Sequence, residues 1–281
     1  MAADDSAPAD HVFDTDTRAS PTGVAGRFDA TLSPRWKALQ GVINGGYSVA
    51  VCLDALRQLL PHPDPLVVST FFLRRGVPGP VEVHTDVARK GHHVSTGEAR
   101  IVQNGEEIVR TTASFADLGS SPNVDAVVLS QMPHLPSPGE SIDPFAGGPI
   151  PGVTMTEQVE LRFPAMPGWQ TGQPTGDPSA EFWIRFTNGR EPDTLSLPLL
   201  VDGAAPVVLE LGVAGSATLE LTTHIRGRPA PGWLACRVHT RHLIGGYHEE
   251  DFELWDTHGN LVAQARQLAV VLDQATKATG S

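Results

Sequence analysis

Apolar and polar residues alternate along most of the chain, and two nearly continuous apolar stretches interrupt that alternation. The alternating stretches have the period of two that is typical of half-buried β-strands. The first apolar stretch, 47–60, follows an Asn-Gly-Gly turn and ends before Pro61, which predicts a buried helix with Asn44 as its N-cap. The second apolar stretch, 197–211, predicts a second buried helix.

Each predicted helix is followed by a run of predicted antiparallel strands. These strands cover 67–73, 81–87, 94–102 and 108–115 in the first half, and 217–226, 233–243, 248–255 and 261–272 in the second. An early strand and turn at 26–37 and two strands at 155–163 and 181–186 precede the helices. The turn at 103–106 contains Asn-Gly, which suits the positive φ angles of a type I′ hairpin.

The two halves therefore repeat one order of elements: strand, buried helix, and three or four antiparallel strands. Asn44 and Gly105 are 61 residues apart, and Leu197 and Gly259 are 62 apart. Because helices do not alternate with the strands, the α+β class is favoured, with each sheet curled around its helix. The expected segments are a disordered lead (1–25), an N-terminal unit (26–118), a Pro- and Gly-rich linker (119–152), a C-terminal unit (153–272) and a tail (273–281).

Composition and charge narrow the possible partners. The 281 residues include 20 basic and 32 acidic residues, for a net charge of −12. This balance disfavours nucleic-acid binding and docking on anionic lipid, both of which need positive charge. The sequence contains no apolar run long enough to span a membrane, and its first ten residues lack the regions of a signal peptide. Two cysteines, Cys52 and Cys236, cannot form a disulfide framework, so a cytoplasmic location is expected.

Short motifs in both halves follow a recognisable order. They lie at 69–76 (STFFLRRG), 89–91, 103–105 and 113–115 in the first half, and at Asp202, 217–220, 228–229 and 259–267 in the second. Over roughly 26–118 and 155–272, this order resembles the double-hotdog acyl-CoA thioesterases of the bacterial type II group. The resemblance implies two hotdog folds in one chain, each a sheet wrapped around a central helix. It also implies that the substrate is an acyl-CoA, hydrolysed to a free acid and CoA.

The resemblance further implies which residues hold the attacking water. In that family an Asp at the second helix, a Thr or Ser on the next strand and a Gln on the last strand do so, and Asp202 and Gln267 match two of these positions. Thr218, which lies 49 residues before Gln267, is the favoured hydroxyl. Thr222 is the alternative, because a period of two places it on the same strand face. No metal and no cofactor are expected.

The chemistry of thioester hydrolysis explains these residue types. Asp202 can act as a general base toward water, and the Gln267 amide and a threonine hydroxyl can each donate and accept hydrogen bonds. The backbone amides of Gly45 and Gly46, at the start of the first helix, are candidates to polarise the thioester oxygen. The densest basic cluster is a candidate contact for the CoA phosphates; it consists of Arg74, Arg75, Arg89 and Lys90.

Each candidate also has an ordinary structural interpretation. Aspartate can cap a helix, threonine favours strands, and a basic cluster is commonly a solvated rim. The sequence around Ser48 approaches the nucleophile elbow of α/β-hydrolases but lacks its final glycine. The groups at 92–93 (His-His) and 248–250 (His-Glu-Glu) are expected at exposed hairpin ends rather than around a metal, because adjacent strand residues point to opposite faces.

Two rival functions remain open at this point. One rival is an enoyl-CoA hydratase of the hotdog type. The resemblance to such hydratases would require an Asp-x4-His pattern, but the fifth residue after Asp202 is Val207. The other rival is a non-catalytic protein that binds acyl thioesters. The oligomeric state is left open as well, although the sheet edges of hotdog folds commonly pair and a homo-oligomer is one alternative.

Overall fold

The structure, a computed structural model, describes residues 11–120 and 127–272. Its helices and strands are, in chain order, α1 (Val12–Asp16), β1 (Ser20–Pro21), β2 (Arg27–Leu32), α2 (Gly45–Arg57), β3 (Asp64–Phe72), β4 (Gly79–Lys90), β5 (Ser95–Gln103), β6 (Glu106–Ala116), β7 (Val159–Arg162), β8 (Ser179–Phe186), α3 (Leu197–Val201), β9 (Ser216–Ile225), β10 (Leu234–His239), β11 (Leu243–Ile244), β12 (Tyr247–Trp255) and β13 (Leu261–Val271). The strands form one antiparallel sheet with few helices, as the alternating sequence pattern predicted.

The order of the strands displays the repeat predicted from the sequence. Along the sheet they run β1-β2-β4-β5-β6-β3-β9-β13-β12-β10-β8-β7, and β11 pairs with β12. The order β2-β4-β5-β6-β3 of the first half returns in reverse as β9-β13-β12-β10-β8 in the second. The halves meet where β3 pairs with β9, from Val67 opposite His224 to Phe71 opposite Glu220.

Helix α2 confirms the prediction for the first apolar stretch. The Asn44 side chain accepts a hydrogen bond from the Tyr47 amide at 2.8 Å, which is the geometry of an N-cap. Ten of the helix's residues are buried, so it packs on almost its whole circumference. It lies on the strands of the first half and contacts α3 of the second half.

The prediction of one continuous helix over 197–211 is wrong in the length of that helix. Helix α3 covers only Leu197–Val201, and a 3₁₀ helix at Val207–Leu211 follows after a break. Pro206 lies in that break, where its missing N–H and its restriction of the preceding residue stop a continuous helix. Asp202 is the C-cap of α3 and therefore lies at the break.

The prediction of a disordered lead over 1–25 is wrong for its second part. Residues 11–25 contain α1 and β1, and the Phe13 side chain is only 2 % exposed. Its ring packs against Trp36 of the first half and Phe186 of the second, with ring centroids 6.0 and 5.1 Å away. Burial of this aromatic side chain against both halves orders the segment. Residues 1–10 lie outside the described part of the chain.

The proline-rich segment between the halves lies against the second half. Its carbonyl at Pro136 accepts a hydrogen bond from the Trp183 indole at 2.8 Å, and Leu135 packs nearby. Ile142 forms an isolated bridge with Phe163. Residues 121–126 of the predicted linker and the predicted tail lie outside the described residues. Among the residues described, none of the helices has the length and apolar character needed to span a membrane.

Candidate active site

Asp202 is held at the start of α2 by three hydrogen bonds from two residues, Asn44 and Gly46. Its Oδ2 atom accepts hydrogen bonds from the Gly46 amide at 2.8 Å and from Asn44 Nδ2 at 2.9 Å. The same Asn44 nitrogen donates to the Asp202 backbone oxygen at 2.8 Å. Burial raises the pKa of Asp202 to about 6, although the hydrogen bonds from Gly46, Asn44 and Gly45 oppose that rise by stabilising the charged form.

The two glycines at the start of α2 allow this close contact. A Cβ atom on Gly46 would lie 2.5 Å from the Pro198 oxygen, and one on Gly45 would lie 2.8 Å from the Phe72 ring. A larger residue at Gly46 would displace the backbone of α3, and one at Gly45 would displace the Phe72 ring. The Gly46 amide, predicted to face the thioester oxygen, donates to Asp202 instead. Gly45 lines the adjoining cavity.

Gln267 on β13 connects two other polar residues of the second half. Its Oε1 atom accepts a hydrogen bond from the Thr218 hydroxyl at 2.8 Å. Its Nε2 atom donates to Glu250 Oε2. The Gln267 side chain is 3 % exposed, so these two bonds replace contacts that water would otherwise make.

The structure places the two threonines that the sequence left as alternatives, Thr218 and Thr222, on opposite faces of β9. Glu220 pairs with Leu268, but Thr218 pairs with the next residue, Ala269, so a β-bulge interrupts the alternation of β9 at Leu219. Thr218 therefore turns to the face of Gln267. Thr222 stays on the other face, where it bonds to Ser69 and Glu220. The expectation that both threonines share one face is wrong because the bulge adds a residue between them.

Glu250 was not predicted as a site residue. The group at 248–250 was expected at an exposed hairpin end, but His248 and Glu250 are each only 1 % exposed. They lie on the inward face of β12 together with Phe252 and Leu254. Burial raises the pKa of Glu250 to about 7, against hydrogen bonds from Gln267 and Val207 that lower it. A charged residue on the apolar face of an alternating strand was the sequence signal for it.

One cavity of about 690 Å³ brings these residues together. Its polar lining includes Asp202, Thr218, Gln267 and Glu250, and its apolar lining includes Leu39, Ile43, Phe72, Phe145, Ile150, Val153, Met155 and Leu209. Both halves and the segment between them supply lining residues. The arrangement places two carboxylates, a hydroxyl and an amide around one largely apolar cavity.

The four basic candidates do not form one cluster. Arg74 and Arg75 line the cavity and are exposed. Arg74 also bonds to the Glu107 carbonyl at 2.9 Å and pairs with Glu106. Arg89 and Lys90 lie at the exposed end of β4 and are not among the residues that line this cavity.

Other candidates take structural roles. The Ser48 hydroxyl donates to the Asn44 backbone oxygen at 3.2 Å. His92 and His93 lie in the exposed turn after β4, as predicted, and their rings contact each other. In residues 11–120 and 127–272, no group of three His, Cys, Asp or Glu side chains is arranged to hold a metal ion. Burial raises the pKa of the Cys52 thiol to about 12.

Two family models match the chain in sequence. The acyl-CoA thioesterase N-terminal domain matches residues 32–116, and the acyl-CoA thioesterase C-terminal domain matches residues 130–271. Among curated proteins, the chain is 28 % identical over 266 residues to the uncharacterized protein Rv0499 of Mycobacterium tuberculosis, covering 87 % of this chain and 90 % of that protein.

Solved structures show a similar architecture. A protein of Thermobifida fusca YX with a provisional thioesterase II assignment is 28 % identical, with a TM-score of 0.82 over 93 % of this chain and 97 % of its own. A hot dog fold protein of unknown function from Alicyclobacillus acidocaldarius is 21 % identical, with a TM-score of 0.81 over 94 % of this chain and 98 % of its own. The second similarity concerns the fold alone.

Proposed function

The chain belongs to the acyl-CoA thioesterase family, and on that premise we propose that it hydrolyses an acyl-CoA thioester to a free acid and CoA. The observation that carries this proposal is that Asp202, Thr218 and Gln267 line one cavity. We also propose that each half is a hotdog fold, with α2 and α3 as the two central helices. The reversed strand order of the second half supports this double-hotdog arrangement.

In the proposed mechanism, Asp202 is the general base. A carboxylate whose pKa is about 6 is ionised at neutral pH and is still basic enough to accept a proton from water. Water attacks the thioester carbonyl carbon while Asp202 accepts its proton. The tetrahedral intermediate then collapses, the carbon–sulfur bond breaks, and the CoA sulfur leaves with the proton that Asp202 had taken.

Gln267 and Thr218 have complementary roles in this mechanism. A primary amide nitrogen carries two hydrogens, and the bond to Glu250 uses one of those on Gln267. The second can donate to the developing oxyanion, an interaction that strengthens as charge forms in the transition state. Thr218 donates its own hydrogen to Gln267 at 2.8 Å, which leaves its oxygen lone pairs to accept a hydrogen bond from the attacking water.

The remaining lining suits the two ends of an acyl-CoA. The apolar side chains can take the acyl group, while Arg74 and Arg75 are the cavity's candidates for the CoA phosphates. Arg89 and Lys90 would contact only a part of CoA that extends beyond the cavity.

Because Cys52 and Cys236 are free and buried, we propose a cytoplasmic location.

The two rivals differ from hydrolysis in what they release. A hydratase consumes the enoyl chromophore without freeing a thiol, and a binding protein retains its ligand unchanged. At the position where the hydratase pattern has histidine, Val207 uses its amide to bond Glu250 at 2.7 Å. The test is a panel of saturated and enoyl acyl-CoAs assayed for free thiol. We expect turnover that releases CoA, and tight binding without release would contradict the proposal.

A further inference from the structure

Glu250 occupies a position that connects the fold to the proposed site. It lies on β12 directly opposite Gln267 on β13. Its Oε1 atom accepts a hydrogen bond from the Val207 amide at 2.7 Å, and its Oε2 atom accepts one from Gln267 Nε2. One carboxylate oxygen thus serves the backbone of the 3₁₀ helix, and the other serves a proposed catalytic side chain.

These contacts determine which way the side-chain amide of Gln267 is oriented. Thr218 donates to its oxygen, and its nitrogen donates to Glu250. If the amide turned over, its oxygen would face the carboxylate of Glu250, and two acceptors without a hydrogen between them repel each other. An ionised Glu250 therefore keeps the amide nitrogen of Gln267 on its own side.

We propose that Glu250 is a positioning residue for thioester hydrolysis, whose ionised carboxylate fixes the Gln267 amide so that its second N–H faces the substrate. This inference rests on the proposed function. The same orientation turns the Thr218 hydrogen toward Gln267 and leaves the threonine lone pairs free. Protonation of Glu250 would make it a donor, turn the amide over and remove the N–H from the substrate.

The charged groups around Glu250 determine when it ionises. From the end of α3, Asp202 adds a like charge that favours the protonated form. From β10, Cys236 contributes a neutral thiol, since burial raises its pKa. On β12 itself, burial lowers the pKa of His248, whose ring therefore stays neutral at neutral pH and bonds Ser216 at 2.7 Å.

Another buried carboxylate, that of Glu210, lies on the 3₁₀ helix that contacts Glu250. It provides a control for changes at Glu250. Glu210 is 6 % exposed and accepts hydrogen bonds from the amides of Trp169 at 3.3 Å and Thr175 at 2.8 Å. It does not bond to Gln267. A variant at Glu210 therefore alters a buried carboxylate of the same region without altering the direction of the amide.

The proposal has a specific signature in the pH profile. If Asp202 and Glu250 must both be ionised, log kcat/KM of the wild type falls on the acid side with a limiting slope of two. Glu250→Gln should reduce that slope to one and lower kcat by about 10- to 100-fold, with KM changed less than about threefold. Glu210→Gln should keep the slope of two.

A double variant separates orientation from folding. In Glu250→Gln/Gln267→Glu, the new carboxylate at 267 accepts from Thr218 and from the new amide at 250, whose oxygen still accepts from Val207. All hydrogen bonds are restored, so thermal stability should return toward that of the wild type. Because position 267 then has no N–H, kcat should stay low.

Each outcome bears on one proposal or both. A wild type that hydrolyses acyl-CoA with a slope of one, or Glu250→Gln with unchanged kcat and slope, would overturn the positioning role alone. Recovery of kcat in the double variant would overturn it as well. A wild type that releases no CoA from any acyl-CoA would overturn the proposed function, and the positioning role with it.

Discussion

The Asn44 side-chain nitrogen donates to both the backbone oxygen and the Oδ2 atom of Asp202, at 2.8 and 2.9 Å. The oxygen of the same side chain caps α2 through the Tyr47 amide. One residue thus begins the helix of the first half and holds the carboxylate of the second. The proposed general base depends on the packing of the two halves against each other.

A change at Asn44 should therefore move the pH dependence of the reaction. Asn44→Asp keeps an N-capping oxygen but replaces the donor beside Asp202 with a like charge, which raises the pKa of Asp202. We expect the acid limb of kcat/KM to shift upward by about one pH unit, with activity recovering at higher pH.

Asn44→Ser is the matched control for that variant. Serine also caps helices, adds no charge and removes the donor. The upward shift should be smaller than in Asn44→Asp. Identical pH profiles for the wild type and both variants would show that Asn44 does not act on Asp202.

The raised pKa of Asp202 also predicts a pH-dependent cost in stability. Its pKa is 3.8 for the unperturbed group and about 6 in the folded chain, so the folded state binds more protons between these values. Its contribution to stability is fully present below about pH 4 and is lost as pH rises through 6.

Asp202→Asn should remove that loss. Relative to the wild type, the free energy of unfolding of the variant should increase by up to about 3 kcal/mol between pH 4 and pH 8, which means that the variant becomes the more stable of the two. Urea unfolding of both proteins at the two pH values measures this difference. A difference that does not change with pH would contradict the raised pKa of Asp202.

The bulge at Leu219 predicts different roles for the two threonines. Thr218→Val removes the hydroxyl that donates to Gln267 at 2.8 Å and should lower kcat by about 10- to 100-fold. Thr222→Val alters a hydroxyl that bonds to Ser69 and Glu220 on the other face of the sheet, so kcat should stay within about twofold. Equal losses in the two variants would contradict the assignment.

Asp64 should contribute to stability by joining the halves. Its carboxylate is buried and accepts hydrogen bonds from the Leu118 amide and the Thr194 hydroxyl, both at 3.0 Å, and from Arg228 at 2.7 Å. Asp64→Ala leaves these donors without an acceptor and should cost about 3 kcal/mol of unfolding free energy.

Arg228→Ala is the comparison for Asp64. The arginine side chain is 51 % exposed, so its ion pair is partly solvated and should contribute about 1 kcal/mol or less. Chemical denaturation of both variants measures the two costs. A larger loss of unfolding free energy for Arg228→Ala than for Asp64→Ala would contradict the role of Asp64 in joining the two halves.

Some of the site could be predicted from sequence because local pattern determines it. The Asn-Gly-Gly turn before an apolar run located α2 and its cap, and alternation located the strands. The break after α3 also had a local signal, Pro206, although the apolar character of 197–211 concealed it. These features depend on backbone propensities that act within a few residues.

The rest depended on tertiary packing. No glycine or proline marks the bulge at Leu219, which follows from how β9 pairs with β13. Phe13 is ordered by rings from both halves, which lie far away in sequence. Glu250 became a site residue only once its strand face was known to be buried beside Gln267.

The central claim is that Asp202 activates water to hydrolyse an acyl thioester. It is tested most directly by kcat for CoA release from the best acyl-CoA substrate, measured for the wild type and for folded Asp202→Asn. We expect kcat of the variant to fall by at least about 100-fold, as loss of a general base predicts. A variant whose kcat remains close to that of the wild type would contradict the claim.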